Sequence, residues 1–257
     1  MILYNDDCLN VLKGLEDKSI DLILQDPPYN TTACKWEWDI MTKIEEFWKE
    51  WNRVIKPNGA IVMFGSEPFS SKLRLSNLKN YKYDWKWKKT IAIGFQHSKN
   101  KPMKILEDIL VFSNSPMGHI SQLGDRRMNY NPQGVIPDKI RLVRKSSHGN
   151  MMGARPNQIG KEYLSYTNFP NELLEFNQPI STKSLHPTQK PVALLEYLIK
   201  TYTQENEVVF DGFSGSCSTG IACINTNRQF IGVELDEHYY TIGKQRVDEH
   251  LVNLKKV

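Results

Sequence analysis

Two consecutive prolines directly after an apolar run dictate where a strand must stop and what stands at its end. The run Ile20-Asp21-Leu22-Ile23-Leu24 reads as a short buried strand with one polar interruption. It leads into Asp26-Pro27-Pro28-Tyr29. Neither proline donates a ladder hydrogen bond, and each restricts the residue before it. The strand therefore ends by Asp26, and a stiff loop presents a carboxylate, unbonded carbonyls and an aromatic ring. In open α/β sheets that carboxyl edge is where ligands bind. A flat substrate carrying an amino group suits this set. Asp26 accepts one N–H, the Pro27 carbonyl accepts the second, and Tyr29 stacks on the ring as aromatic side chains do on unpaired bases. A rigid turn with a surface tyrosine explains the same four residues, so the rest of the chain decides.

The surrounding pattern alternates strands and helices. Met1–Tyr4 and Ala60–Phe64 read as strands and Leu9–Leu15 as a short helix, while Ile44, Phe47, Trp48, Trp51 and Val54 mark a helix. Lys56-Pro57-Asn58-Gly59 reads as its terminator. This βαβ rhythm implies a parallel sheet. From Tyr81 the rhythm changes: Trp85 and Trp87 alternate with Lys86 and Lys88, and Leu106–Phe112 is a strand able to pair with them in antiparallel fashion. Residues 114–183 are rich in Asn, Gly, Pro, Ser and Arg with little periodicity, which marks a functional insertion or a mobile segment. Regularity returns with a helix over Val192–Tyr202, entered through Pro191 with Thr188 as a cap. The strand Val208–Phe210, a helix beginning at Thr219, the strand Phe230–Val233 and a helix over Glu237–Leu251 complete the chain.

At 257 residues the chain suffices for one large α/β domain with an insertion. The net charge of +4 hides an asymmetry: residues 72–161 hold 18 Lys/Arg against 5 Asp/Glu, and the remainder is acidic. A basic middle in an acidic frame implies a polyanion partner, or a solvated lysine-rich surface. No stretch approaches a membrane span, and Met1–Asp7 lacks a signal-peptide pattern. Cys8, Cys34, Cys217 and Cys223 form no CxxC pair, so neither a disulfide framework nor a metal site is expected. A reducing cytoplasm is the expected compartment.

A second constellation lies late in the chain. Val208 to Gly220 reads as a strand, a loop of small residues (Asp211-Gly212-Phe213-Ser214-Gly215-Ser216), then a helix. Small residues allow backbone N–H groups to approach a ligand closely at such a junction. Glu234 ends the next strand, 23 residues past Asp211, an offset at which an acid bonds a ribose in dinucleotide-binding folds. A ribose-bearing ligand across two adjacent strand ends is implied. No P-loop motif and no full G-x-G-x-x-G occurs, which weakens nucleoside triphosphate and nicotinamide readings.

In their order, Asp26-Pro27-Pro28-Tyr29, a basic region, His186-Pro187-Thr188-Gln189-Lys190-Pro191, the loop from Asp211, and Gly232-Val233-Glu234-Leu235-Asp236 resemble the S-adenosylmethionine-dependent amino-methyltransferases of DNA, in the permuted order called the β class. Asn5-Asp6-Asp7-Cys8-Leu9 resembles that family's opening segment. The resemblance implies a single Rossmann-like α/β methyltransferase domain, circularly permuted, with a seven-stranded, mostly parallel sheet and helices on both faces. Its catalytic half would span 1–113, an irregular target-recognition insertion 114–183 and its cofactor-binding half 184–257.

By the same resemblance, Asp26, Pro27, Pro28 and Tyr29 are catalytic. Asp211, Phe213, Gly215, Ser216, Ser218 and Thr219 surround the methionine part of S-adenosylmethionine. Glu234 and Leu235 meet its ribose, Asp7 and Cys8 border its adenine, and His186, Thr188 and Lys190 close over its amino acid end. The family usually has glycine at the position of Cys217, and often proline or an aromatic residue at that of Gly212, so the cysteine is expected to add a side chain close to the cofactor. Lys86, Lys88, Arg126, Arg127, Arg141, Arg144 and Lys145 are the candidates for contact with double-stranded DNA. Trp85 and Trp87 fit either DNA contact or the core. No metal is required, and homodimers are common in the family. Asp in the tetrapeptide favours N6 of adenine. N4 of cytosine, the amide of a protein glutamine and a DNA-binding module without catalysis are the alternatives.

Overall fold

In the computed structural model the described residues are 1–29, 40–118, 123–142, 160–178 and 189–254. His186, Thr188, Arg144 and Lys145 lie outside them. In chain order the strands are β1 (Ile2–Asn5), β2 (Ile20–Gln25), β3 (Ile55–Gly65), β4 (Tyr81–Ile93), β5 (Lys104–Phe112), β6 (Ile136–Leu142), β7 (Glu162–Thr167), β8 (Leu173–Glu175), β9 (Val208–Asp211) and β10 (Gln229–Glu234). The helices are α1 (Cys8–Gly14), α2 (Ile44–Val54), α3 (Phe69–Ser76), α4 (Val192–Tyr202), α5 (Ser218–Asn225) and α6 (Glu237–Leu254).

The main sheet has the order β1-β10-β9-β2-β3-β5-β4-β8. All its pairs are parallel except β3 with β5 and β5 with β4. Among the described residues it has eight strands where seven were expected; the additional edge strand is β8, three residues long. The antiparallel pairing expected between the tryptophan strand and Leu106–Phe112 is present, with Trp85 opposite Ile109 and Trp87 opposite Glu107.

Strands at the centre of the sheet are buried on both faces, and alternate residues serve opposite layers. Leu22, Leu24, Val62 and Phe64 pack with Leu194 and Leu198 of α4 and Ile221 of α5. Ile23, Ile61 and Met63 pack with Leu12 of α1, Phe47 and Trp51 of α2 and Phe69 of α3. Trp85 and Trp87 belong to the first of these layers and are 3% and 2% exposed. Their indole N–H groups donate to the Tyr202 hydroxyl at 2.6 Å and the Phe176 carbonyl at 3.0 Å, which settles them as core residues.

Lys56-Pro57-Asn58-Gly59 is not the terminator expected from its composition but lies inside β3. The pairing of β2 with β3 jumps from Ile20–Ile55 to Leu22–Ala60, so these residues form a bulge. A Cβ on Gly59 would stand 2.7 Å from the Asp21 carbonyl oxygen, so only glycine fits this close approach. The bulge also delivers Lys56, whose ammonium lies 2.7 Å from the buried Asp21 carboxylate. The Val208 amide donates to the other Asp21 oxygen at 2.9 Å. The polar interruption in the apolar run is thereby paired on both oxygens, as a buried carboxylate requires.

Pro132–Asn171 forms a separate compact unit within the expected insertion. In it β6 and β7 pair in antiparallel fashion, with Arg141 opposite Tyr163. The Ser165 hydroxyl donates to the Lys139 carbonyl at 2.7 Å and accepts from Arg141 Nε at 3.1 Å.

Candidate active site

Asp26 leaves β2 at its carboxyl end, and its two oxygens have different partners. Oδ1 accepts from the Tyr29 phenol and Oδ2 from the Lys190 ammonium. Lys190 Nζ also stands 3.0 Å from Glu107 Oε1 and 4.8 Å from the centroid of the Phe64 ring. Glu107 Oε2 lies 2.6 Å from Lys89 Nζ. Burial opposes charge on Lys190, but the Asp26 and Glu107 carboxylates outweigh it and raise its pKa. Burial likewise opposes ionisation of Glu107, yet Lys190 and Lys89 hold its pKa below the usual value. The Tyr29 phenol is pushed well above its usual range by burial, then by the charges of Asp26 and Glu107, and so stays a donor. Its ring stacks on Phe69 at 4.8 Å with planes inclined by 25°.

The late glycine loop lies beside this group because β9 pairs with β2, Phe210 facing Ile23. Asp211 Oδ2 accepts from the Thr219 hydroxyl at 2.6 Å and Oδ1 from the Phe213 amide at 3.0 Å. Burial outweighs both hydrogen bonds and pushes its carboxyl up to about 7. Arg246 of α6 braces the turn, donating to the Ser216 carbonyl at 2.8 Å and the Ser218 hydroxyl at 2.9 Å. Glu234 ends β10 and accepts from the Gly215 amide at 2.7 Å and the Asp236 amide at 2.9 Å. Burial raises its pKa despite these donors. Leu235, next in the chain, is exposed.

The N-terminal segment joins the same edge because β1 pairs with β10, Asn5 opposite Glu234. Asp7 caps α1, its carboxylate accepting from the Leu9 amide at 2.8 Å. Cys8 is buried and its thiol, pushed up by burial, stays neutral. A Cβ on Gly212 would run into the Cys8 sulfur and stand 3.2 Å from Gln25 Oε1. Cys8 thus fills the space that a larger residue at 212 would need.

Cys217 combines an unusual backbone conformation with a buried side chain. It has φ 58°, the left-handed backbone that favours glycine. Its side chain is fully buried in the layer of Phe230 and Val247. Lys190, expected over the cofactor's amino acid end, is bound to Asp26.

Lys86 lies between Asp108 at 2.7 Å and Asp84 at 3.2 Å, and Lys88 is 2.9 Å from Glu175. Arg126 is exposed and Arg127 half-buried, flanking the turn after Gly124. Arg141, on β6, pairs with Asp138 at 3.1 Å. Glu107, Lys89, Phe64 and Phe69 were not anticipated. The available signal was Glu107-Asp108, two acids interrupting an otherwise apolar strand. Among the described residues no His, Cys, Asp and Glu group is arranged to hold a metal, and no helix is long and apolar enough to cross a membrane.

Comparison with known proteins agrees with this geometry. The model of the DNA methylase family matches residues 20–245. The type II methyltransferase M.HpaI of Haemophilus parainfluenzae is 31% identical, over 96% of this chain and 74% of its own. The DNA adenine methyltransferase YhdJ of Escherichia coli is 26% identical, over 99% and 87%. The crystal structure of an M1.HpyAVI–SAM complex superimposes with a TM-score of 0.61 at 25% identity, covering 95% of this chain and 98% of the other. The cytosine-N4-specific PvuII DNA methyltransferase shares the fold, with a TM-score of 0.66 at 16% identity over 96% and 90%. The proline loop at the carboxyl edge, the acid-flanked glycine turn beside it and a family match across most of the chain lead to one conclusion: the protein belongs to the DNA methylase family and is an S-adenosylmethionine-dependent DNA methyltransferase.

Proposed function

We propose that this chain methylates the exocyclic N6 of an adenine flipped out of double-stranded DNA at a specific sequence. The observation that carries the reading is the position of Asp26, at the carboxyl end of β2 and one strand from Asp211 on β9. The residues fit the cofactor's chemistry. Asp211 and the turn through Thr219 suit the ammonium of its amino acid end, Glu234 with Leu235 a ribose, and Asp7 with Cys8 an adenine. Bound there, S-adenosylmethionine supplies an electrophilic methyl on a sulfonium.

The protein's own part is positioning. Asp26 accepts one N–H of the target amine and the Pro27 carbonyl the other, which aims the nitrogen lone pair at the methyl. Pro28 stiffens the loop that sets this angle. Lys190 keeps Oδ2, so the amine takes Oδ1 once Tyr29 releases it. The Tyr29 ring, backed by Phe69, then carries the extruded base. Extrusion costs a few kcal/mol, and phosphate contacts offset it. Lys88, Arg126, Arg127 and Arg141 are proposed for those contacts, with Pro132–Asn171 as the target-recognition unit and the cytoplasm as the place of action. Lys86 is given a structural role because Asp84 and Asp108 hold it.

The adenine assignment draws on Asp at the head of the tetrapeptide and on the relative named as a DNA adenine methyltransferase. The test is transfer of an isotopically labelled methyl group to duplex DNA, followed by digestion to nucleosides and mass analysis. Labelled N6-methyl-2′-deoxyadenosine is expected; labelled N4-methyl-2′-deoxycytidine overturns the choice of base, and unlabelled DNA overturns the activity.

A further inference from the structure

Glu107 is a buried acid that the proposed chemistry does not use directly. It sits on β5, 6% exposed, opposite Trp87 of β4 and beside the end of β3, where Asp108 pairs with Gly65. Its two oxygens are divided between two cations, Lys190 at 3.0 Å and Lys89 at 2.6 Å. Lys190 in turn holds Asp26. The group is a chain of alternating charge, Asp26–Lys190–Glu107–Lys89, drawn from the β2 loop, the segment before α4, β5 and β4. Such a buried array is an expensive way to gain stability, because desolvation of the ions consumes most of their attraction. Its geometry converges on the one carboxylate that must meet the substrate amine.

We propose that Glu107 is a positioning residue that acts through Lys190 to set the orientation and effective charge of Asp26. Methyl transfer moves positive charge from sulfur to the amine nitrogen, beside Asp26. A lysine bound to Asp26 alone would offset the carboxylate just where that charge develops, and would compete with the amine for its oxygens. Glu107 counters the lysine charge and draws the ammonium to a point between the two acids. Lys190 then fixes the Asp26 rotamer while leaving its negative charge available, in the manner of preorganised electrostatic stabilisation. Phe64, beneath the ammonium, restricts where it can settle.

The inference rests on Asp26 holding the amine, and a double-mutant cycle separates the two. Glu107→Gln keeps shape and removes charge. Its single-turnover methyl transfer is expected to fall about 10- to 100-fold, the scale of a small misplacement of a reacting group. The KM for S-adenosylmethionine and the thermal midpoint stay close to those of the unaltered enzyme. In a Lys190→Met background the same substitution is expected to change the rate by less than about threefold, since its route to Asp26 is gone. Glu107→Asp, which keeps the charge on a shorter arm, should recover part of the rate and serves as the reporter if the glutamine variant does not fold. In whichever Glu107 variant folds, turnover equal to that of the unaltered enzyme, or an equal loss with and without Lys190, overturns the proposal. If Asp26→Ala is inactive in the same assay, only the role of Glu107 is lost; if Asp26→Ala is active, the reading of Asp26 falls with it.

Discussion

The Gly215 amide donates to Glu234 Oε2 at 2.7 Å, tying the turn after β9 to the acid that ends β10. In the proposed reading the same carboxylate accepts from the cofactor ribose. Hydrogen bonds to a charged group contribute about 1.5–3 kcal/mol, so Glu234→Ala should weaken S-adenosylmethionine binding at least about tenfold. Because this contact is made equally in ground and transition states, turnover at saturating cofactor should change much less. Titration calorimetry together with saturation kinetics checks both halves.

Asp211 gives the cofactor step a pH dependence. Its carboxyl is pushed up to about 7 by burial, against an ordinary value near 3.9. Below pH 7 the free protein therefore carries a proton there, which the ligand's ammonium must expel on pairing with the carboxylate. Binding should release a proton, and affinity should rise as pH increases through about 7 and then level off. Calorimetry in two buffers of different ionisation enthalpy reads the proton directly. Asp211→Asn should abolish that release.

Gly212 and Cys8 should couple energetically. Gly212→Ala forces a Cβ against the Cys8 sulfur, and overpacking of this kind costs about 1–3 kcal/mol. Adding Cys8→Ala opens the space, so the double variant should regain more than half of that loss. Denaturant unfolding of the three variants measures it; an additive double variant contradicts the shared-space account.

DNA binding should be steeply salt-dependent, its logarithm falling linearly with the logarithm of salt concentration. Arg141→Ala should lower the slope by about one unit if Arg141 meets a phosphate. An unchanged slope assigns Arg141 to its contacts with Asp138 and Ser165 alone.

Much of this was legible in the sequence where one local rule dominated. The helix over Val192–Tyr202 follows directly from apolar spacing, and the stop at Asp26 follows from two prolines. The bulge at Lys56–Gly59 was not legible, because composition marks a turn whereas pairing with β2 draws the residues into a strand. Nor was β8, whose three residues gain their strand character only from β4. At the site, Asp26, Asp211 and Glu234 are readable because each ends a strand. Lys190 meets Asp26, and Glu107 meets Lys190, only through the fold, from segments 164 and 81 residues away from Asp26, and no local pattern encodes those meetings.

The most direct test is the single-turnover rate of methyl transfer to duplex DNA by Asp26→Ala, measured with cofactor at saturation. Loss of one positioned hydrogen-bonding group at a reacting centre predicts a fall of about 10²–10³-fold, with S-adenosylmethionine affinity within about threefold of the unaltered protein. A rate within about threefold of the unaltered protein would contradict the account.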